Sequence, residues 1–479
     1  MSTTQLKKSV YSGIKWNTIS VVATRSTDFV VKLILARLLL PDAYGIVGMA
    51  MIIIGFLQVV SDMGLFNALV QKKEDELTEV RYSSAFWFLL ALATAFISLF
   101  YFFISPYGAA FYKEPRLVPV LNALSIYLFF NILTIIPRVI LTKKLDFNNL
   151  VRITIAGTVV SSITAIALAI LGFGVWSLVL KSILGSFIIF ISYWIKVGWR
   201  PKFVFQGSSL TNLAGYSTYT QINNILFFFR NNIDYLIVGK LMSAHTLGIY
   251  TLAFTLSETL RGQLYSIFNK VFFPVYSKIQ DDREQIKYYY LRVMTLSATI
   301  TFPVSVLFIG LAEDLIQYLF GSNWIEAAAP LRVLSVASMI FAISGTPAEV
   351  LKGIGKPSVS FYLNITNTFL VALPLMYFGT KYFGLVGVAY AVCIHYTTSR
   401  LTFHYYMKKY INVTDGDVIL ALKKPLLAAA VMLGMIYSVS YIEMPLLYNL
   451  IAAGFTGILT YTLFFISEIK KGYKLVNKG

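Results

Sequence analysis

ARLLLPDAYGI (36–46) recurs 203 residues later as GKLMSAHTLGI (239–249). Arg37 falls on Lys240, Leu38 on Leu241, Gly45 on Gly248 and Ile46 on Ile249. Each copy is a short polar turn between two long apolar stretches, the outline of a helical hairpin tip. Two further matches share an offset of 210: the P-R-V-I-L run from Pro137 with the P-A-E-V-L run from Pro347, and Phe173-Gly174-Val175 with Phe383-Gly384-Leu385. Three matches at nearly constant offset read as an internal repeat.

The stretches around these turns are long enough to cross a membrane, which takes about 20 mostly apolar residues. Fourteen are expected: 10–34, 43–66, 82–104, 117–140, 150–171, 175–197, 210–238, 245–270, 288–309, 326–351, 357–379, 384–407, 420–441 and 445–467. The chain is 57% hydrophobic and 13% charged, about half the charge of a soluble protein. The expected fold is therefore an all-α polytopic membrane protein. Residues 1–204 and 205–410 form two lobes of six helices each, and 411–479 adds two C-terminal helices and a basic tail. Six is an even number, so both copies have the same orientation, related by a pseudo-twofold axis along the membrane normal. Parallel repeats of this kind place a substrate site between two rocking halves.

Orientation follows from the 40 Lys and Arg residues. With the N-terminus inside, six (Arg37, Lys113, Arg116, Lys240, Arg332, Lys381) fall outside and six (Arg25, Lys32, Lys181, Arg230, Arg261, Arg400) fall within helices, leaving 28 inside. That asymmetry puts both termini in the cytoplasm. It also accounts for the net charge of +18 without nucleic acid as a partner.

No connection exceeds about 20 residues, which leaves no room for a soluble catalytic domain. There is no P-loop, no metal-ligand spacing and a single cysteine, Cys393. These absences point to a transporter rather than an enzyme, with no cofactor.

The informative residues are charges inside the apolar stretches, each costing on the order of 3 kcal/mol at the bilayer centre. Helix 1 carries Arg25, Asp28 and Lys32, spaced 3 and 4 apart and so on one face. Helix 7 carries Asn223, Arg230 and Asp234, and helix 8 carries Glu258 and Arg261. Asp62 lies near the inner end of helix 2. At an offset of 203, Arg25 and Arg230 lie at similar depth in opposite lobes.

The functional reading is a cationic cavity in which Arg25, Lys32, Arg230 and Arg261 bind phosphate through forked or point charges. Asp28, Asp234, Glu258 and Asp62 then bind a coupling ion or compensate the cations. The structural reading is a set of local ion pairs, Arg25–Asp28, Arg230–Asp234 and Glu258–Arg261. Lys181 and Arg400 are read as cations that snorkel to the inner surface.

The segments SDMGLFNALVQKKE (61–74), NKVFFPVYSKIQDD (269–282) and YLFGSNWIEAAAPLRVLS (318–335), with SGIKWNTIS (12–20), resemble bacterial polysaccharide flippases of the Wzx type. These belong to the multidrug/oligosaccharidyl-lipid/polysaccharide exporter superfamily, and the likeness is closest to the colanic acid exporter branch. The resemblance implies a lipid-linked oligosaccharide substrate carried on undecaprenyl diphosphate. It implies movement from the inner to the outer leaflet of the bacterial cytoplasmic membrane, coupled to H⁺ or Na⁺. Surface polysaccharide is the product served, and the polymerase and export machinery are the expected partners besides bilayer lipids. Related lipid II flippases use arginines on the first helix and in the second lobe. Arg25 fits the first position, and Arg230 or Arg261 the second. The alternatives are a drug/cation antiporter of the same superfamily, a membrane-embedded polymerase, and a scaffold subunit of an envelope complex.

Overall fold

In the computed structural model the described residues are Trp16, 23–62, 64–73, 76–344, 346–442 and 444–476. Every regular element among them is a helix. The first unit contains α1 (23–38), α2 (Pro41–Asp62), α3 (Leu65–Gln71), α4 (Glu79–Leu99), α5 (Ser105–Tyr112), α6 (Leu117–Leu133), α7 (Ile135–Lys143), α8 (Phe147–Ile170), α9 (Val175–Val197) and α10 (Ser208–Leu241). α11 (Ala244–Lys278) leads from it into the second. There follow α12 (Arg283–Gly310), α13 (Ala312–Leu319), α14 (Ala328–Ser344), α15 (Pro347–Gly353), α16 (Pro357–Thr366), α17 (Leu373–Ile411), α18 (Asp415–Ser440) and α19 (Leu446–Val476).

Ten of the described helical stretches are long and apolar enough to cross a membrane, against the fourteen read from sequence. The difference has three local causes. Only 23–38 of the first helix is described. α10 and α11 are helical throughout but carry charged and polar residues along their length, so they fall outside that set. The eleventh and twelfth expected spans run together as 357–411, and the chain between them turns at Gly384, with φ 62° and ψ −145°.

Backbone geometry repeats along the chain. Of the ten described residues with positive φ, eight fall into pairs: Lys113 with Gly321, Leu145 with Gly355, Gly174 with Gly384, and Gly198 with Asn412. Their separations are 208, 210, 210 and 214 residues, against 203 at the first turn. Lys113, Gly198 and Asn412 are left-handed residues that end helices, while Gly174 and Gly321 stand immediately before the helix that follows, so equal positions mean equal helix boundaries in the two copies. Gly64 departs from the pattern. It separates α2 from α3, whereas its counterpart in the second copy lies inside the unbroken α11.

The pairing yields a stability prediction. Leu145 adopts φ 53° where its counterpart is a glycine. Leu145→Gly should raise stability by about 1 kcal/mol, the usual penalty of a side chain in this region. Gly384→Ala should lower it by about 2 kcal/mol, because its φ and ψ lie outside the regions open to L-residues. Thermal unfolding of the two purified variants in one detergent reads both signs, and equal shifts would refute the strain argument.

Contacts divide the chain into two compact units, residues 1–248 and 249–479. The division comes 44 residues after the sequence repeat boundary at 204/205, because α10 packs on α2, α3, α4 and α5. The connection between the copies is pinned to the start of α4. Trp87 Nε1 donates to the Lys202 carbonyl at 2.8 Å, and the Lys202 and Gln206 amides donate to Ser83 and Ser84 Oγ at 3.0 and 2.9 Å.

In the second unit a continuous core runs from Tyr276, Tyr290 and Phe302 to Met407, Met432 and Ile436. α18 and α19 are part of that core. Ile436 reaches into the space above Gly310 and Gly457, where added Cβ atoms would lie 2.7 and 2.9 Å from it. The opposite faces of the pair expose Leu420, Leu427, Ile451, Phe455 and Ile458, as helices bounded by hydrocarbon do.

Candidate functional site

Within the first unit, Val31 and Leu35 of α1, with Leu39 just beyond its end, pack on Ala165 and Ala169 of α8, with Val175 and Leu178 of α9 alongside. Positions 28, 31 and 35 share a helix face, so this packing carries Asp28 against α9. Its carboxylate meets Lys181 Nζ at 3.4 Å. The local Arg25–Asp28 pair considered from spacing is thus not the contact that Asp28 makes. Lys181, read as a snorkelling cation, is instead engaged by Asp28, six residues and about 9 Å along α9 from its first residue.

Lys32 lies within electrostatic reach of Asp28, Lys181 and Arg25, and its carbonyl accepts from Tyr44 OH at 3.3 Å. Arg25 itself is exposed. One carboxylate therefore stands among three cations in this group.

On α10, the Arg230 guanidinium lies 5.2 Å from the centre of the Phe227 ring, and Asp234 is 4% exposed. The side chains of Asn223 and Asp62 lie outside the described residues. In the second unit the Glu258–Arg261 pair forms as spacing suggested, Nη2 donating to the Glu258 carboxylate. Its surroundings are not visible in the spacing. Arg261 is 5% exposed and lies 4.2 Å from the Phe341 ring centre and 5.0 Å from that of Tyr396. Tyr265 packs edge-on against Phe341 at 5.3 Å. Arg261 Nε and Nη1 have no hydrogen-bond partner among the described residues. Phe341 and Tyr396 pack edge-on against each other at 5.3 Å, so both rings flank the guanidinium from adjacent directions. A buried guanidinium whose Nε and Nη1 lack a hydrogen-bond partner among the described residues is suited to the oxygens of an anion. Arg400, also read as snorkelling, instead donates to Tyr290 OH at 2.8 Å.

The repeated turn forms a contact with itself. A Cβ on Gly45 would lie 1.7 Å from the Ala244 carbonyl oxygen, and one on Gly248 would lie 2.0 Å from the Pro41 carbonyl oxygen. Pro41 and Ala244 are counterparts at the same 203-residue offset as the two glycines. The contact is therefore reciprocal, as in a two-fold interface. Asp42 and His245, again counterparts, hydrogen-bond across it at 3.0 Å. Asp42 also meets Arg116 at 3.6 Å. Arg116 grips Glu114 through Nε and Nη2 at 2.7 and 2.8 Å and holds that carboxyl below its usual range. The turns align in sequence, but the alignment carries no sign that they touch.

Among the described residues no group of three or more His, Cys, Asp or Glu side chains is placed to hold a metal ion. In the first unit three cations surround the Asp28 carboxylate; in the second, Arg261 pairs with Glu258 beside two aromatic rings.

Residues 34–329 match the family model described as "Polysaccharide biosynthesis protein". The chain belongs to that family. This multi-pass member is 22% identical to the lipopolysaccharide biosynthesis protein WzxC of Escherichia coli (strain K12), over 88% of this chain and 85% of that one. It is 26% identical to the teichuronic acid biosynthesis protein TuaB of Bacillus subtilis (strain 168), over 99% of each. Among solved structures, the lipid II flippase MurJ in an inward closed conformation superposes with a TM-score of 0.73 at 19% identity, covering 95% of this chain and 100% of that one. The fold is thus a known transporter fold. The motifs at 61–74 and 269–282 lie inside the matched region, and the resemblance drawn from them holds at the level of the family.

Proposed function

We propose that this protein moves polyprenyl-diphosphate-linked oligosaccharide across the bacterial cytoplasmic membrane by alternating access, for export of a surface polysaccharide. The observation that carries the reading is Arg261, buried against Phe341 and Tyr396 and paired with Glu258, with Nε and Nη1 lacking a hydrogen-bond partner among the described residues. A buried cation with spare donors is retained at considerable cost, and a phosphate oxygen satisfies both its charge and its geometry. The charged group on α1 supplies Arg25 and Lys32 as further phosphate contacts, with Arg230 on α10. The biosynthetic names of WzxC and TuaB, and the lipid substrate in the name of MurJ, support the same reading.

In this mechanism the cations attract the diphosphate from the inner leaflet while the polyprenyl chain stays in hydrocarbon. Release outside requires that the site bind more weakly in the outward state, since a ligand shifts only equilibria in which its affinities differ. Asp28, Asp234 and Glu258 are the groups placed to exchange H⁺ or Na⁺ or to balance the cations. Polymerase and export components are the partners proposed to receive the product.

Reconstitution into vesicles with a fluorescent polyprenyl-diphosphate oligosaccharide tests this directly. Wild-type protein should carry the headgroup across under an imposed H⁺ or Na⁺ gradient, and Arg25→Ala should slow it about ten-fold, the loss of one charge-assisted contact. Export of organic cations with no movement of the lipid would instead establish the drug antiporter.

A further inference from the structure

We infer that Lys181 is a diphosphate contact, completing a three-cation receptor with Arg25 and Lys32 that Asp28 holds open between substrates. The inference rests on the flippase reading and adds a residue that neither sequence motif nor relative assigns.

Three observations support it. First, Lys181 is brought to α1 by packing: its ammonium meets Asp28 at 3.4 Å from a helix 153 residues away. Second, the charges do not balance. Arg25, Lys32 and Lys181 form one electrostatic group with Asp28, which leaves a formal excess of two positive charges. Such an excess in a membrane-spanning unit is costly, and a diphosphate diester carries two negative charges. Third, the Lys181–Asp28 contact is loose and reachable. At 3.4 Å it is longer than the 2.7–2.9 Å typical of strong charge-assisted bonds, and the two side chains are 22% and 44% exposed.

Asp28 then has a positioning role. It keeps the Lys181 ammonium from swinging away while the receptor is empty, and it yields to the diphosphate oxygens when substrate arrives. No bond is made or broken; one ion pair is exchanged for another.

The bland alternative is that Lys181 only neutralises Asp28. A double substitution separates the two. Purified protein would be titrated with a short-chain polyprenyl-diphosphate saccharide, the matching monophosphate, and free pyrophosphate. Lys181→Gln should weaken diphosphate binding about ten-fold, the loss of one charge-assisted contact, and monophosphate binding by less. Lys181→Arg should keep most of the affinity. Asp28→Asn with Lys181→Gln should stay weak, because removing the carboxylate does not replace the cation. Full affinity in that double variant, or wild-type affinity in Lys181→Gln, overturns the inference. Pyrophosphate binding as tight as the lipid would assign the receptor to a free anion and overturn its role in lipid transport. Wild-type protein that binds the lipid diphosphate through Lys181 yet never translocates it would leave the receptor standing and remove the flippase reading. Elution as a single species in detergent shows that each variant is folded.

Discussion

Gly45→Ala and Gly248→Ala should each reduce transport by more than an order of magnitude and expose the contact between the two repeated turns. The Cβ introduced at either site meets a backbone carbonyl, of Ala244 at 1.7 Å or of Pro41 at 2.0 Å. No rotamer relieves a backbone clash, so the helices must part. Overpacking of this kind costs about 3 kcal/mol, on the order of a hundredfold in the population of the closed contact. The double variant should be little worse than either single one, because both act on one crossing. A cysteine introduced as Asp42→Cys, in a Cys393→Ser background, reports the opening through faster labelling by an impermeant thiol reagent. Gly434→Ala and Gly454→Ala are the controls. Nothing lies within 4 Å of an added Cβ at either site, and alanine is the better helix former by about 1 kcal/mol. Unchanged labelling in Gly45→Ala would show that the crossing tolerates a side chain.

Arg261 gives the second large effect. Arg261→Ala should lower transport of the lipid-linked saccharide about a hundredfold, and Arg261→Lys about ten-fold. The alanine loses the stacking on Phe341 and Tyr396, worth about 2 kcal/mol in a desolvated setting, together with the spare donors. The lysine keeps the charge but has neither the plane nor the fork. Arg332→Ala is the comparison. Its pair with Glu313 at 2.9 Å is exposed on both sides, 40% and 58%, and such pairs contribute about 0–1 kcal/mol. Transport rates, with unfolding temperature measured alongside, separate a binding loss from a folding loss. Equal rates for Arg261→Lys and wild type would mean that the charge alone matters.

The sequence carried the helical membrane class, the repeat and the family, because each is written in residues close together or at constant offset. Hydrophobic length marks a span without any knowledge of its neighbours. A glycine or asparagine at a helix end marks the same turn in both copies, as Gly198 and Asn412 do. Charge partners are different. Helical spacing proposes partners three or four residues away, which found Glu258–Arg261 but missed Asp28–Lys181, where the partner comes from a helix brought in by packing. The aromatic faces beside Arg261 were equally hidden, since Phe341 and Tyr396 belong to α14 and α17 and are two among 68 Phe and Tyr residues. Arg230 illustrates the remaining gap. Its depth was legible, while its packing on Phe227 depends on a side-chain torsion that no spacing encodes.

Asp42 and His245 occupy one position of the repeat and touch at 3.0 Å. At the crossing of the two turns, this repeat position meets its own counterpart. In an assembly of two identical halves it would face a copy of itself, carboxylate against carboxylate or imidazole against imidazole. Encoding both halves in one chain lifts that restriction, so an acid can be set against a base. The two turns therefore carry different side chains at one repeat position and do not interchange. A chain with the two residues exchanged, Asp42→His with His245→Asp, keeps the complementarity, whereas either single exchange restores the self-facing arrangement that a symmetric ancestor would have had to tolerate.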